Sequence, residues 1–199
     1  MRIAVLGLGR MGWHIAAHLA GHDEAHELLV FDVIEGHAPR WVAEHGGGAA
    51  DSVAAAVAEA EFVITSLPAD RELQVVADEL LPAISAGTIW IDHSTTSARI
   101  AREVGDRMSA AEAHFLDAPV SGGVDGARNG SLTVMAGGDD EAFARAVPVM
   151  EVYAARVRLM GGAGAGQLTK MTNQICVVGL CQALAEGLDF ASRAGLDVE

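Results

Sequence analysis

Four groups of residues in this chain are spaced to do chemistry. Gly7-Leu8-Gly9-Arg10-Met11-Gly12 follows an apolar run and precedes a helical pattern. There the first glycine permits a tight turn, the second lets the backbone approach a pyrophosphate, and the third allows close helix–strand packing. The helix start adds free N–H groups, so Gly7, Gly9, Arg10, Met11 and Gly12 are expected at a dinucleotide phosphate. Asp32 stands 20 positions after Gly12, at the end of the second apolar run. A carboxylate there accepts the adenosine ribose hydroxyls and repels a 2′-phosphate, which favours NAD over NADP. Arg40 is the nearby guanidinium able to accept such a phosphate. Ser121-Gly122-Gly123 offers a hydroxyl and backbone N–H groups that can hold a carboxylate, and by residue type alone reads equally well as an ordinary glycine-rich turn. Lys170, Asn173 and Gln174 stand at i, i+3 and i+4, on one helical face. A lysine beside apolar surface has its pKa lowered and exchanges protons near neutrality; a solvated lysine at a helix start is the alternative.

Alternating apolar and helical segments must position these groups. Strands are expected at 2–7, 27–32, 62–67, 88–92, 114–120, 131–136 and 156–159, and helices at 11–20, 38–45, 53–60, 70–80, 97–111 and 140–152. The alternation calls for βαβ units, and the nearly continuous apolar strands for a sheet covered on both faces. That is an α/β, doubly wound, mostly parallel sheet of Rossmann type. Gly161-Gly162-Ala163-Gly164-Ala165-Gly166 punctuates the chain, dividing residues 1–163 from 164–199. A long helix is expected over 167–194, about 42 Å at 1.5 Å per residue. Its apolar positions run around much of the circumference and ask for partners on several sides.

Composition narrows the partners. A formal net charge of −14 disfavours nucleic acid and anionic membrane. The opening residues lack the long apolar stretch of a signal peptide, and the most apolar helical stretch, 175–184, reads as too short to span a bilayer. Cys176 and Cys181 are expected as buried small hydrophobes in a reducing cytoplasm. No His/Cys cluster has metal-ligand spacing, so no metal is expected. His93, at a strand end, is either a border of the site or a plain loop residue.

With these motifs in order, the chain resembles the β-hydroxyacid dehydrogenases, typified by 3-hydroxyisobutyrate dehydrogenase and tartronate semialdehyde reductase. The resemblance rests on the opening glycine motif, on Ser94-Thr95, on DAPVSGG and the GARNGSLTVMAGG that follows, and on GAGQLTKMTNQ. It implies hydride transfer between NAD(P) and a short β-hydroxyacid or its semialdehyde, with Lys170 as catalytic acid/base. It implies that Ser121, Gly122, Gly123 and Asn173 hold the substrate carboxylate, and that Leu67, Pro68 and Thr95 line the nicotinamide and its ribose. Gln174 after Asn173 matches tartronate semialdehyde reductases, whereas Phe31-Asp32-Val33 looks like the NAD-preferring 3-hydroxyisobutyrate enzymes, so the acid stays open. Family members carry an all-helical domain beyond the linking helix and pair through this region; here the sequence ends at Glu199. The expectation is therefore a fragment of a longer enzyme, or a shortened protein, forming a homodimer centred on 175–188 or a higher homo-oligomer. The alternative is a cofactor-binding, dimerising module with little turnover.

Overall fold

Nine strands and eight helices make up the described residues, 1–22 and 26–198, of the computed structural model. Six strands form one parallel sheet: β1 (Arg2–Leu6), β2 (Glu27–Phe31), β3 (Gly48–Ala49), β4 (Phe62–Thr65), β5 (Ile89–Asp92) and β6 (His114–Asp117). Their order is β3-β2-β1-β4-β5-β6. The chain starts in the middle, winds outward to β3, then returns to the other side of β1. That reversal between β1 and β4 opens a crevice beyond the C-terminal ends of the strands.

Period-2 alternation decides which helix covers which face. Ile3, Val5, Ile64 and Ile91 pack with α1 (Gly12–Ala20), α2 (His37–His45) and α7 (Asp140–Met150). Ala4, Leu6, Val63 and Trp90 pack with α3 (Val53–Val57), α4 (Asp70–Leu80) and α5 (Ala98–Ala110). Both faces are thus covered, as the unbroken apolar strands require.

The expected strand over 114–120 breaks in two. Ala118 still donates to the Asp92 carbonyl, but Pro119 has no N–H to continue the ladder. The chain then enters a second sheet of β7 (Val120–Ser121), β8 (Leu132–Ala136) and β9 (Ala154–Leu159). Here β7 runs antiparallel to β8, and β8 parallel to β9. Backbone bonds in both directions between Asp117 and Gly137 join the two sheets. The short β3 and the six-residue α6 (Gly123–Arg128) were not expected, because two strand residues and a glycine-led turn of helix carry too little periodicity.

The last helix, α8 (Ala165–Arg193), has 29 residues. Its N-cap Gly164 and the residues Gly166 and Gln167 are buried against the sheets, whereas every residue from 174 to 190 is exposed. Three expectations change here. The two cysteines are exposed, since nothing among the described residues packs on their stretch. The apolar segment is also longer than 175–184: an 18-residue window of α8 reaches a mean hydropathy of 1.4, long and apolar enough to cross a membrane by length and composition. And the helix begins two residues earlier than 167, because Asp117 satisfies its first N–H groups.

Candidate cofactor and active site

The glycine turn between β1 and α1 is built as its spacing demands. Gly7 adopts a φ of +92°, and a side chain at Gly12 would place its Cβ 1.9 Å from the Gly7 carbonyl oxygen. A Cβ at Gly9 would meet nothing within 4 Å, so the backbone there faces open space. No side chain caps the start of α1 at Met11. Uncapped helix N–H groups beside an open glycine suit a pyrophosphate. Arg10 is exposed and Met11 half-buried at the same turn.

Asp32 follows β2 and is pinned by the backbone. It accepts from the N–H of Leu8 at 2.6 Å and of Ile34 at 2.7 Å, with His37 Nδ1 3.7 Å away. A groove of about 440 Å³ runs past it, lined by Gly7, Gly9, Leu67 and Pro68. Exposed Val33 and Ile34 and the α4 residues Arg71 and Val75 complete its walls. Arg40 is not in this groove: it pairs with Glu44 at 3.0 Å and lies over the Trp13 ring. Arg71 is the guanidinium that lines it, and sequence reasoning missed it because α4 reaches the groove only through the βαβ crossover.

Ser121 ends β7, and Gly122 and Gly123 follow with φ of +125° and +62°. A Cβ at Gly123 would meet nothing within 4 Å. The next turn, α6, is tied to α1 by His18, whose Nε2 donates to the carbonyls of Ala127 at 2.9 Å and Arg128 at 3.1 Å. One helix therefore anchors both glycine turns.

A buried polar network joins the remaining groups. Asp92, at the end of β5, accepts from the Thr65 and Ser94 hydroxyls, and the Ser94 hydroxyl accepts from the Leu67 N–H at 2.8 Å. Burial raises the Asp92 pKa. Thr95 stands exposed between buried Ser94 and Thr96. Gln167 of α8 donates to the Ser94 carbonyl at 2.8 Å and accepts from the Thr96 N–H at 3.0 Å. Asp117 accepts from the N–H of Gly164 at 2.7 Å and of Gln167 at 2.9 Å. Burial pushes Asp117 up to about 6 against these N–H bonds, and nearby Asp92 adds to the rise.

One turn beyond Gln167 lies Lys170, the single lysine of the chain: the other twelve of its 13 basic residues are arginines. That solitary lysine is a signal legible in the sequence. Lys170 and Asn173 are half-buried while Gln174 is exposed, so the expected face is only partly sheltered. Burial lowers the Lys170 pKa. His93 is not a border of the site. It is enclosed, its Nδ1 donating to the Ala118 carbonyl and its Nε2 accepting from the Tyr153 hydroxyl, and burial holds it down at about 4. Among the described residues no group of three or more His, Cys, Asp or Glu is placed to hold a metal.

Comparison with known proteins supports the Rossmann-type fold. Residues 2–162 match the family model described as the NAD binding domain of 6-phosphogluconate dehydrogenase. An uncharacterized oxidoreductase of Shewanella frigidimarina is 45% identical over 98% of this chain and 68% of its own length. The 3-hydroxyisobutyrate dehydrogenase of Pseudomonas aeruginosa is 39% identical over 98% of the chain and 65% of its own. The solved Mycobacterium tuberculosis 3-hydroxyisobutyrate dehydrogenase with L-serine superposes with a TM-score of 0.94 at 39% identity, over 99% of this chain and 67% of that one. The chain thus spans about two thirds of the length of these relatives.

Proposed function

Because the chain belongs to the β-hydroxyacid dehydrogenase family of NAD-binding oxidoreductases, we propose that it carries the cofactor domain and catalytic lysine of an enzyme acting on a short, 3-hydroxyisobutyrate-like β-hydroxyacid. The nicotinamide, when bound, supplies the hydride acceptor for oxidation and the donor for reduction. Gly7, Gly9, Arg10, Met11 and Gly12 receive the pyrophosphate. Asp32 takes the adenosine ribose and disfavours NADP. Leu67, Pro68 and Thr95 line the nicotinamide side. Ser121, Gly122, Gly123 and Asn173 hold the substrate carboxylate. Lys170, as a neutral amine, takes the hydroxyl proton in oxidation; as an ammonium it returns that proton to the carbonyl oxygen in reduction.

The observation that carries this reading is Lys170 itself: the single lysine, half-buried, with its pKa lowered by burial, one turn after a helix start bound into the sheet. A panel of short β-hydroxyacids with NAD and NADP, on this chain and on a full-length relative, tests it. Lys170→Ala should cut turnover roughly 10²–10⁴-fold and leave NAD affinity unchanged. Near-normal turnover would remove Lys170 from the mechanism.

Residues 164–199, of which Glu199 lies outside the described residues, open the second, helical domain in this reading. The exposed stretch 174–190 favours pairing with a second copy about a two-fold axis, in a cytoplasmic setting that keeps both thiols reduced. Gln174, Gln182, Glu186 and Asp189 interrupt it against a lipid partner. The same exposure supports a second reading, a cofactor-binding and dimerising module with little turnover. Light scattering at micromolar concentration checks the pairing, where a well-behaved monomer would sink it.

A further inference from the structure

We propose that Gln167 and Asp117 are positioning residues for Lys170, locking the first turn of α8 to the ends of β5 and β6 so that the lysine is held fixed relative to the cofactor-facing loops. The proposal rests on the reading of Lys170 as the acid/base.

Ordinary helix capping needs one side chain satisfying one or two N–H groups. At α8 the bonding goes further. Both Asp117 oxygens are taken, one by the N–H of Gly164 and one by that of Gln167. The Gln167 side chain turns away from its own helix and uses both ends of its amide on Ser94 and Thr96, the two neighbours of exposed Thr95. Ser94 in turn receives the N–H of Leu67, which lines the groove. One unbroken run of hydrogen bonds therefore leads from the groove wall to the turn before Lys170.

The backbone is shaped to let this happen. A Cβ at Gly166 would sit 2.3 Å from the Asp117 carbonyl oxygen and 2.4 Å from that of Met135. A Cβ at Gly137 would sit 2.7 Å from the Gly166 nitrogen and 2.6 Å from Asp117 Oδ1. Two glycines bring α8 closer to β6 and β8 than any side chain allows. Beyond residue 173 nothing among the described residues supports α8 until Ala191, so the direction in which Lys170 leaves the helix is set at this lock.

The single lysine makes the test direct. Reductive methylation with ¹³C-formaldehyde labels only Lys170 and the Met1 amine of the 199-residue chain, and both are read by NMR during a pH titration. In the wild type the Lys170 signal should titrate below the ordinary lysine range, as its burial implies. Gln167→Met, equal in length but unable to hydrogen bond at either end, should move that titration up toward free lysine while Met1 stays unchanged. Where turnover is measurable, kcat should fall by about 10²-fold, well beyond any loss of NADH affinity, as expected for a misplaced group. Asp117→Asn keeps the shape and carries the test if Gln167→Met does not fold. Losing a negative charge would by itself lower the lysine pKa, so an upward move reports lost position. A Lys170 signal that titrates as in the wild type in folded variants overturns the lock and leaves the acid/base reading intact. Near-normal turnover of Lys170→Ala overturns that reading instead.

Discussion

The two ends of α8 have opposite environments although they belong to one continuous helix. Its first turn sits under two sheets, with Gln167 fully enclosed and each polar atom of its side chain bonded. Along the exposed stretch, Ile175 is 74% exposed, Leu180 71% and Phe190 73%. Enclosure by polar bonds gives direction and position, because a buried amide or carboxylate is tolerated only where its partners stand at fixed points. Apolar exposure gives neither; it leaves surface that is stabilised only by burial against something else. The helix thus joins an enclosed polar turn to an exposed apolar surface, and Lys170 lies where the one gives way to the other.

The largest expected effect concerns pH at the enclosed end. His93 is held down at about 4 and Asp117 is pushed up to about 6, both by burial. Unfolding would release His93 to bind a proton between pH 4 and 6.5, so its contribution is present above 6.5 and lost as pH falls through 4. Asp117 works the other way: its contribution is present below its ordinary carboxylate range and lost as pH rises through 6. Each is worth about 3 kcal/mol at 1.36 kcal/mol per pKa unit, and they oppose one another across the shared window. His93→Gln should therefore lose about 3 kcal/mol relative to the wild type on going from pH 4 to 7, and Asp117→Asn should gain a similar amount. Urea unfolding at the two pH values decides it; parallel curves for all three proteins would refute the opposition.

Next in size is Asp32. Replacing it with Asn should weaken NAD binding by roughly 1.5–3 kcal/mol, the range for hydrogen bonds to a charged group, and narrow the gap to NADP. Fluorescence titration with both reduced cofactors measures this. A wild type that already prefers NADP would show the groove to be governed by Arg71 and not by Asp32.

Glycine substitutions compare the two ends of α8 directly. Gly166→Ala presses a methyl group onto two backbone oxygens and should destabilise by about 1–3 kcal/mol, the usual cost of overpacking. Gly179→Ala, on the same helix, meets nothing within 4 Å. It should be neutral or stabilise by about 0.5–1 kcal/mol, because alanine loses less backbone freedom in a helix. Equal effects of the two substitutions on the denaturation midpoint would erase the distinction between the ends.

Local chemistry was enough to read much of this protein from its residues. The glycine turn, Asp32 and the alternation of strands and helices follow from steric rules that act within a few positions, so the parallel sheet and its glycine turn were legible in the sequence. The face shared by Lys170 and Asn173 follows from helical period in the same way. Other features depend on segments far apart in sequence. Arg40 stood nearest to Asp32 along the chain, yet Arg71 lines the groove, because the crossover from β4 brings α4 there. His93 read as a border of the site or a loop residue until Ala118 and Tyr153 closed around it. The joining of the two sheets at Asp117 and Gly137, and the enclosure of Gln167, need four separate segments to meet. The residue types and their periods determined the elements and the glycine turn; only the tertiary structure decided which polar groups were buried together. Burial is a property of distant neighbours, and it is burial that sets their pKa values and holds the lysine in place.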